Sequence, residues 1–299
     1  YYGAIAGLSL GLSAKGFPKM DDSTITVKLD TESLVSVSGV IQNIGLFNNI
    51  ADTEKVLFKN LNINVDIMLR ANSDATPTWS GAKPGITATG FTSHSVQLEM
   101  ENCNIKTKIR NTQLAPYMGY VRAAGLMFTV HSSHLRDKLL RLKNFNITSD
   151  IQLNLPKVED ASSQREVNGN PRVIVTGSLE SRIGGVIGLY EGSPEHFSNG
   201  GGDKGLLIED SNIKTIIYIK TQAGAIDHIV GGFAGVIGSD KFGAFRRGSL
   251  AVSITAPPQG VSVAPVFHAG ANPQGGNPTV SRTSTTDARV LSVLTGWVK

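Results

Sequence analysis

Apolar and polar residues alternate along this chain in short runs, and the runs repeat. Asn60-Leu-Asn-Ile-Asn-Val-Asp-Ile67 recurs as Asn102-Cys-Asn-Ile-Lys-Thr-Lys-Ile109, Asn144-Phe-Asn-Ile-Thr-Ser-Asp-Ile151 and Asp210-Ser-Asn-Ile-Lys-Thr-Ile-Ile217. Looser copies are Asp22-Ser-Thr-Ile-Thr-Val-Lys-Leu29, Arg247-Gly-Ser-Leu-Ala-Val-Ser-Ile254 and Asp287-Ala-Arg-Val-Leu-Ser-Val-Leu294. Leaders at 22, 60, 102, 144, 210, 247 and 287 are spaced by 38, 42, 42, 66, 37 and 40 residues. Each copy carries an apolar trio, from Ile25/Val27/Leu29 through Ile105/Thr107/Ile109 to Val290/Ser292/Leu294, that reads large, small or β-branched, large. The intervening residues, such as Thr26, Lys28, Asn64, Asp66, Lys106 and Lys108, are mostly polar. A period of two with one apolar face predicts a strand buried on one side.

A second element precedes each copy, rich in glycine and small apolar residues. Its versions include Ser38-Gly-Val-Ile-Gln42, Gly85-Ile-Thr-Ala-Thr-Gly90, Ala123-Ala-Gly-Leu-Met127, Gly184-Gly-Val-Ile-Gly188 and Gly231-Gly-Phe-Ala-Gly235. One unit, with its glycine-rich strand, turn, Asn-led strand and return loop, cannot bury its own apolar face. Stacking like units buries it. An antiparallel β-sandwich also has short strands and turns, but it does not require like residues every 40 positions or so. The expected fold is therefore all-β, a right-handed parallel β-helix (β-solenoid) of about seven coils with long loops. Equivalent side chains would lie about 4.8 Å apart, giving a rod of roughly 30 Å. Asn60, Asn102 and Asn144, and likewise Asn62, Asn104, Asn146 and Asn212, would form amide ladders between coils.

Residues 1–299 read as one solenoid domain. The 66-residue spacing predicts a protruding loop around 155–172, where Lys157 to Asn170 is polar and lacks alternation. Glu195 to Gly205 reads as a second loop. A Pro/Gly-rich stretch suggests a looser C-terminal coil from about Ala256 to Pro278.

Ile183-Gly-Gly-Val-Ile-Gly188, Val230-Gly-Gly-Phe-Ala-Gly235, and Gly45-Leu-Phe47 leading to Phe58-Lys-Asn-Leu-Asn-Ile63, carry a resemblance. The pattern resembles the GLUG-type repeats of bacterial surface and secreted proteins, also found ahead of the catalytic domain in IgA1-specific metallopeptidases. That likeness implies a β-helical stalk or passenger region on a cell surface, with no catalytic residues to carry over.

Composition agrees with a folded β-rich chain: 40% hydrophobic, 17% charged, 33 glycines. The net charge of +4 is scattered, apart from Arg246-Arg247 and the Arg136–Lys143 segment, and aromatics are 6%. A nucleic-acid interface is not expected from such a distribution. The longest apolar stretches, such as Tyr1 to Ala14, are glycine-interrupted and too short for a membrane span, and a signal peptide is not expected there. The single cysteine, Cys103, excludes an internal disulfide and a multi-cysteine metal site.

Few residues invite chemistry. The pairs Gly184-Gly185 and Gly231-Gly232 lack the spacing and following helix of a dinucleotide loop, and the Gly200–Gly205 run lacks that of a phosphate loop. Both read as packing or turn glycines. His131 and His134 have no glutamate between them, and parity puts them on opposite faces, so no metal or cofactor site is expected. Cys103 reads as a core or turn residue, and Asn146-Ile-Thr148 is a glycosylation sequon in a suitable host. Asp66 and Asp150 share one repeat position with Lys108 between them. They are candidates for a glycosidase-like carboxylate pair, or for plain charge balance.

A partner contact is the sharper candidate. Leu291 and Val293 occupy outward positions that earlier copies fill with Lys, Asp or Thr, and Trp297 follows. Ile216 is outward in the same way, with Tyr218 close by. Further coils of the same protein or another protein chain would cover this face, and a glycan is a possible ligand. The expected role is a non-enzymatic structural or adhesive segment of an extracellular or cell-surface protein. The alternative is a carbohydrate-active β-helix enzyme, a polysaccharide lyase or glycoside hydrolase using carboxylates on adjacent coils.

Overall fold

Each apolar trio becomes a strand, and in the computed structural model the seven strands that carry the trios form one sheet. These are Thr24–Thr31, Asn62–Leu69, Asn104–Asn111, Asn146–Asn154, Asn212–Lys220, Ser249–Ala256 and Ala288–Leu294. Ile25, Ile63, Ile105, Ile147, Ile213 and Leu250 are successive register partners across it. The expected column is therefore continuous, and Ile63, Ile105 and Ile147 are at most 2% exposed. Three further seven-stranded sheets repeat the same neighbour order. In the repeat that holds Asn102, their strands are Gly85–Thr89, Thr92–Ser95 and Leu98–Glu101. Every described element is a strand, and the four sheets of stacked, mostly parallel strands are the arrangement of a parallel β-solenoid.

The structure describes residues 2–3, 6–10, 20–31, 36–44, 57–70, 85–95, 98–111, 120–130, 139–155, 165–167, 170–172, 181–190, 205–224, 227–237, 243–269, 288–294 and 297–298. For the terminal strands, 2–10 and 288–298, the description is of backbone pairing. His131, His134, the Gly200–Lys204 part of the glycine run and the stretch from 270 to 287 lie outside the described residues.

Two corners close each repeat, and they use different chemistry. The leaders stand at the corner between the third and fourth sheets. There Asp22, Asn60, Asn102, Asn144, Asp210 and Arg247 have φ of 48, 53, 56, 47, 50 and 50°. This left-handed conformation is costly for most side chains and least so for Asn and Asp, which is why they lead. The leader is thus a corner rather than the first residue of the strand. The residue after it turns inward, so Leu61, Cys103, Phe145 and Ser211 are buried. Ladder bonds run along most of the predicted positions, from Asn60 to Asn144 and from Asn104 to Asn212. Asn60 Nδ2 donates to Asp22 Oδ1 (2.8 Å), Asn102 Nδ2 to Asn60 Oδ1 (3.1 Å) and Asn144 Nδ2 to Asn102 Oδ1 (2.7 Å). A second ladder joins Asn146 to Asn104 (2.9 Å), Asn212 to Asn146 (3.0 Å) and Ser249 to Asn212 (2.8 Å). Arg247 departs from the Asn/Asp rule, and its guanidinium holds Asp210 through bonds of 2.7 and 2.9 Å.

The other corner, between the first and second sheets, is glycine: Gly39, Gly90, Gly125, Gly185 and Gly232. None is among the residues with positive φ, so space selects the residue. A Cβ on any of them would overlap the carbonyl oxygen of the next repeat's corner. It would also overlap the middle side chain of a fourth-sheet strand: Val65, Thr107, Ser149, Thr215 and Val252 in turn. The glycine-rich element is therefore two short strands around a corner, not one strand. Pro265 holds the equivalent place in the last strands of these two sheets, where no further strand stacks among the described residues.

Two features depart from the repeat. The last Asp-led copy does not continue the parallel stack: Ala288–Leu294 pairs antiparallel with Ser249–Ala256, and Trp297–Val298 pairs antiparallel with the third sheet. The insertion around 155–172 carries an antiparallel hairpin, Arg165–Val167 with Asn170–Arg172, where no strand is expected from its polarity. In the first sheet the strand His228–Gly231 is buried on both faces. Ile229 and Val230, adjacent on one strand, belong to separate apolar clusters.

Candidate interaction face

The outer side of the fourth sheet displays rows of side chains in fixed register. One row runs Lys28, Asp66, Lys108, Asp150, Ile216, Ser253. Asp66 and Asp150 thus stand two strands apart with Lys108 between them. Asp66 is held by Arg110 Nη2 at 2.6 Å, and Asp150 accepts from Gln152 Nε2 at 2.9 Å. At the strand end, Arg70 grips Asp30 at 2.7 and 3.0 Å, holding its carboxyl below the ordinary carboxylate range. Each of these carboxylates meets a donor within the sheet.

The pattern breaks at Asn212–Lys220. Ile216 is 38% exposed and Tyr218 41%, and they are the exposed large hydrophobics among the described residues. Lys214 and Lys220 flank them on the same outward parity, with Lys220 Nζ 5.5 Å from the Tyr218 ring centroid. The neighbouring strand offers only Ala251, Ser253 and Thr255 beside them. By backbone register Leu291 partners Ser253, which partners Ile216, and Val293 partners Ala251, which partners Lys214. The antiparallel turn thus brings Leu291 into the Ile216 row. Trp297 lies elsewhere, opposite Phe245 in the third sheet.

The third sheet holds a charged column that the alternation within the trios does not show. Register links Asp21, Lys59, Glu101, Lys143, Glu209 and Arg246, the residues just before the leaders. Glu101 is bridged from both sides, by Lys59 at 3.3 Å and Lys143 at 3.5 Å. Its hydrogen bond to Lys59, with the charge of both lysines, lowers its pKa. Glu209 meets Arg141 at 3.3 Å and Arg247 at 3.7 Å. Arg247 likewise lowers the pKa of Asp210 through their hydrogen bond. Beside the column a cavity of about 90 Å³ is lined by Leu57, Glu99, Met100, Glu101, Arg141 and Lys143. The signal for this column lies in the sequence, one residue upstream of each repeat.

The remaining candidates are structural. Cys103 is buried at its corner, where desolvation raises the thiol pKa, away from the reactive thiolate. Gly184, Gly185, Gly231 and Gly232 pack against backbone at the first-to-second sheet corner. The Asn146 amide is engaged on both sides by its ladder. Ser36, Ser38, Gln42, Thr89 and Ser93 form a closed hydrogen-bonded cluster in which Gln42 Nε2 donates to Ser36 (2.6 Å) and Ser93 (3.1 Å). Among the described residues no group of three or more His, Cys, Asp or Glu could hold a metal, and no helix is long and apolar enough to cross a membrane. Comparison of the chain with protein-family models, with curated proteins and with solved structures finds no match.

Proposed function

We propose that this chain is a non-enzymatic structural or adhesive segment, a right-handed solenoid of about seven coils in the manner of GLUG-type surface repeats. In this reading it works outside the cell or on its surface, and the outer face of its fourth sheet binds a partner protein or glycan. The observation that carries the reading is the exposed pair Ile216 and Tyr218 in rows that the other parallel strands fill with Asp, Lys, Arg, Gln, Ser or Thr, apart from the half-buried Met68. An apolar and aromatic pair with a lysine at each end suits a sugar face bearing an acidic group, or a protein loop. The paired state of Asp66 and Asp150 supports a scaffold over a carboxylate active site.

A second reading has one observation in its favour. The cavity beside Glu99, Glu101, Arg141 and Lys143 gathers carboxylates and bases, as a carbohydrate-active enzyme would need. One experiment separates the two. Immobilised protein is screened against a glycan array and extracellular proteins, beside Ile216→Thr/Tyr218→Thr, while a reducing-end assay follows acidic polysaccharides. Binding that the double variant loses, with no sugar ends released, is the expected result. Release of sugar ends that Glu101→Gln abolishes would make it an enzyme. Binding equal in both proteins would remove the face from the account.

A further inference from the structure

Every repeat offers its neighbours the same inner trio, and most offer the same glycine corner and left-handed corner. These features hold repeats together but do not tell the adjacent one from the next beyond it. Ile63 would pack as well on Ile147 as on Ile105. Two outer columns do discriminate. In the third sheet, Asp21, Lys59, Glu101, Lys143, Glu209 and Arg246 alternate in sign at every step. In the fourth, Lys28, Asp66, Lys108 and Asp150 alternate too.

In the native register each step therefore sets unlike charges side by side, as in the Lys59–Glu101 and Glu101–Lys143 pairs at 3.3 and 3.5 Å. Skipping one repeat reverses every contact. Lys59 would face Lys143, Glu101 would face Glu209, and Asp66 would face Asp150. Like charges directly opposite on a sheet are destabilising, and repeat proteins characteristically fail by pairing the wrong units. We infer that the two alternating columns are a register lock, which makes each repeat stack on its sequence neighbour and rejects the one after. The lock acts while the chain folds, because exposed ion pairs add little to the finished structure.

A crosslink reports the skipped register. Asn64 and Thr148 both partner Lys106, from opposite sides, so they are two strands apart. Cysteines there would be about 10 Å apart, beyond disulfide reach, but adjacent if one repeat were skipped. Asn64→Cys/Thr148→Cys is refolded from urea under a glutathione couple, and the 64–148 disulfide is counted by peptide mapping, apart from any pairing of Cys103. A second protein adds Lys59→Gln, Glu101→Gln, Lys143→Gln, Glu209→Gln, Asp66→Asn, Lys108→Gln and Asp150→Asn.

The native columns should give little of the crosslink, and the neutral columns about tenfold more with a matching fall in refolding yield. Refolding at 1 M NaCl, where charges are felt over only about 3 Å, should raise the crosslink for the native columns and leave the neutral ones unchanged. Equal crosslink and yield for both proteins would overturn the lock. Should the neutral protein not fold, the salt series on the native columns decides alone, and no response to salt overturns it.

Discussion

Gly125 and Ser149 meet across the core, 24 residues apart in sequence, and each dictates the size of the other. A Cβ on Gly125 would overlap the Ser149 hydroxyl and the carbonyl oxygen of Gly185 in the next repeat. The same meeting recurs between Gly90 and Thr107, Gly185 and Thr215, and Gly232 and Val252. This contact explains the trio. Its two large residues fill the core to either side, and its middle residue stays small or β-branched because a backbone corner presses against it.

Gly125→Ala is expected to lower stability by about 3 kcal/mol, because the clash is with backbone and no rotamer relieves it. Pro265→Ala, at the corner with no described strand stacked beyond it, is expected to change stability by about 1 kcal/mol or less. Urea unfolding of both variants measures the contrast, and equal losses would contradict the packing argument.

Two threonines in the same inner column should respond oppositely to loss of their hydroxyls. Thr107 Oγ1 donates to the Gly125 carbonyl at 2.7 Å, whereas Thr215 Oγ1 is buried without a partner. Thr107→Val is expected to cost about 1 kcal/mol, and Thr215→Val to be neutral or stabilising by a similar amount. Val65 and Val252 already occupy this column, so the valine fits. Thermal or urea midpoints check the sign.

Asn102 serves the corner twice, by its φ of 56° and by its bonds to Asn60 and Asn144. Asn102→Gly keeps the backbone at ease and loses the ladder, for an expected cost of about 1 kcal/mol. Asn102→Ala also strains the backbone and should cost about 2 kcal/mol. Similar values for the two variants would mean that conformation contributes nothing there.

Glu101 gives the fold a dependence on acid. Its carboxyl is held below its ordinary pKa by Lys59 first and Lys143 second. A carboxylate depressed in the folded state stabilises above its unfolded pKa, and that contribution disappears as pH falls through the folded value. Stability should therefore decline from about pH 4 downward, and Glu101→Gln should flatten the decline. Urea midpoints from pH 6 to pH 3, at low and high salt, test both the slope and its screening.

Cys103 should act as a reporter of unfolding. It is 0% exposed and its pKa is raised by burial. A thiol reagent at pH 8 is expected to leave it unmodified in the native protein and to label it at the rate of unfolding in urea. Rapid labelling without urea would show that its corner opens locally.

Much of this architecture can be read from the sequence because a stacked fold writes its contacts as repetition. Ile63, Ile105 and Ile147 touch their own equivalents, so a like residue every 42 positions is itself the contact map. The Asn ladders are legible for the same reason. Ile216 stands out against the charged and polar residues that the other parallel strands place in its row, and the structure finds it exposed. The charged column was equally available, yet each member sits outside the alternating trio and shows its meaning only beside its neighbours.

Other features were decided only in three dimensions. Period-two alternation has no direction, and a large–small–large trio reads alike in reverse. Val290/Ser292/Leu294 therefore predicts a strand but not that it runs antiparallel, with Leu294 opposite Leu250 and Val290 opposite Ile254. A glycine in a sequence shows only that a side chain is missing. What requires its absence at Gly125 is a carbonyl from Gly185 and a hydroxyl from Ser149, brought there by the stacking of whole turns. The chain itself fixed the residues that repeat, because they meet their own kind. The tertiary structure fixed the contacts between unlike positions and the polarity of the last strand, because neither leaves a period in the sequence.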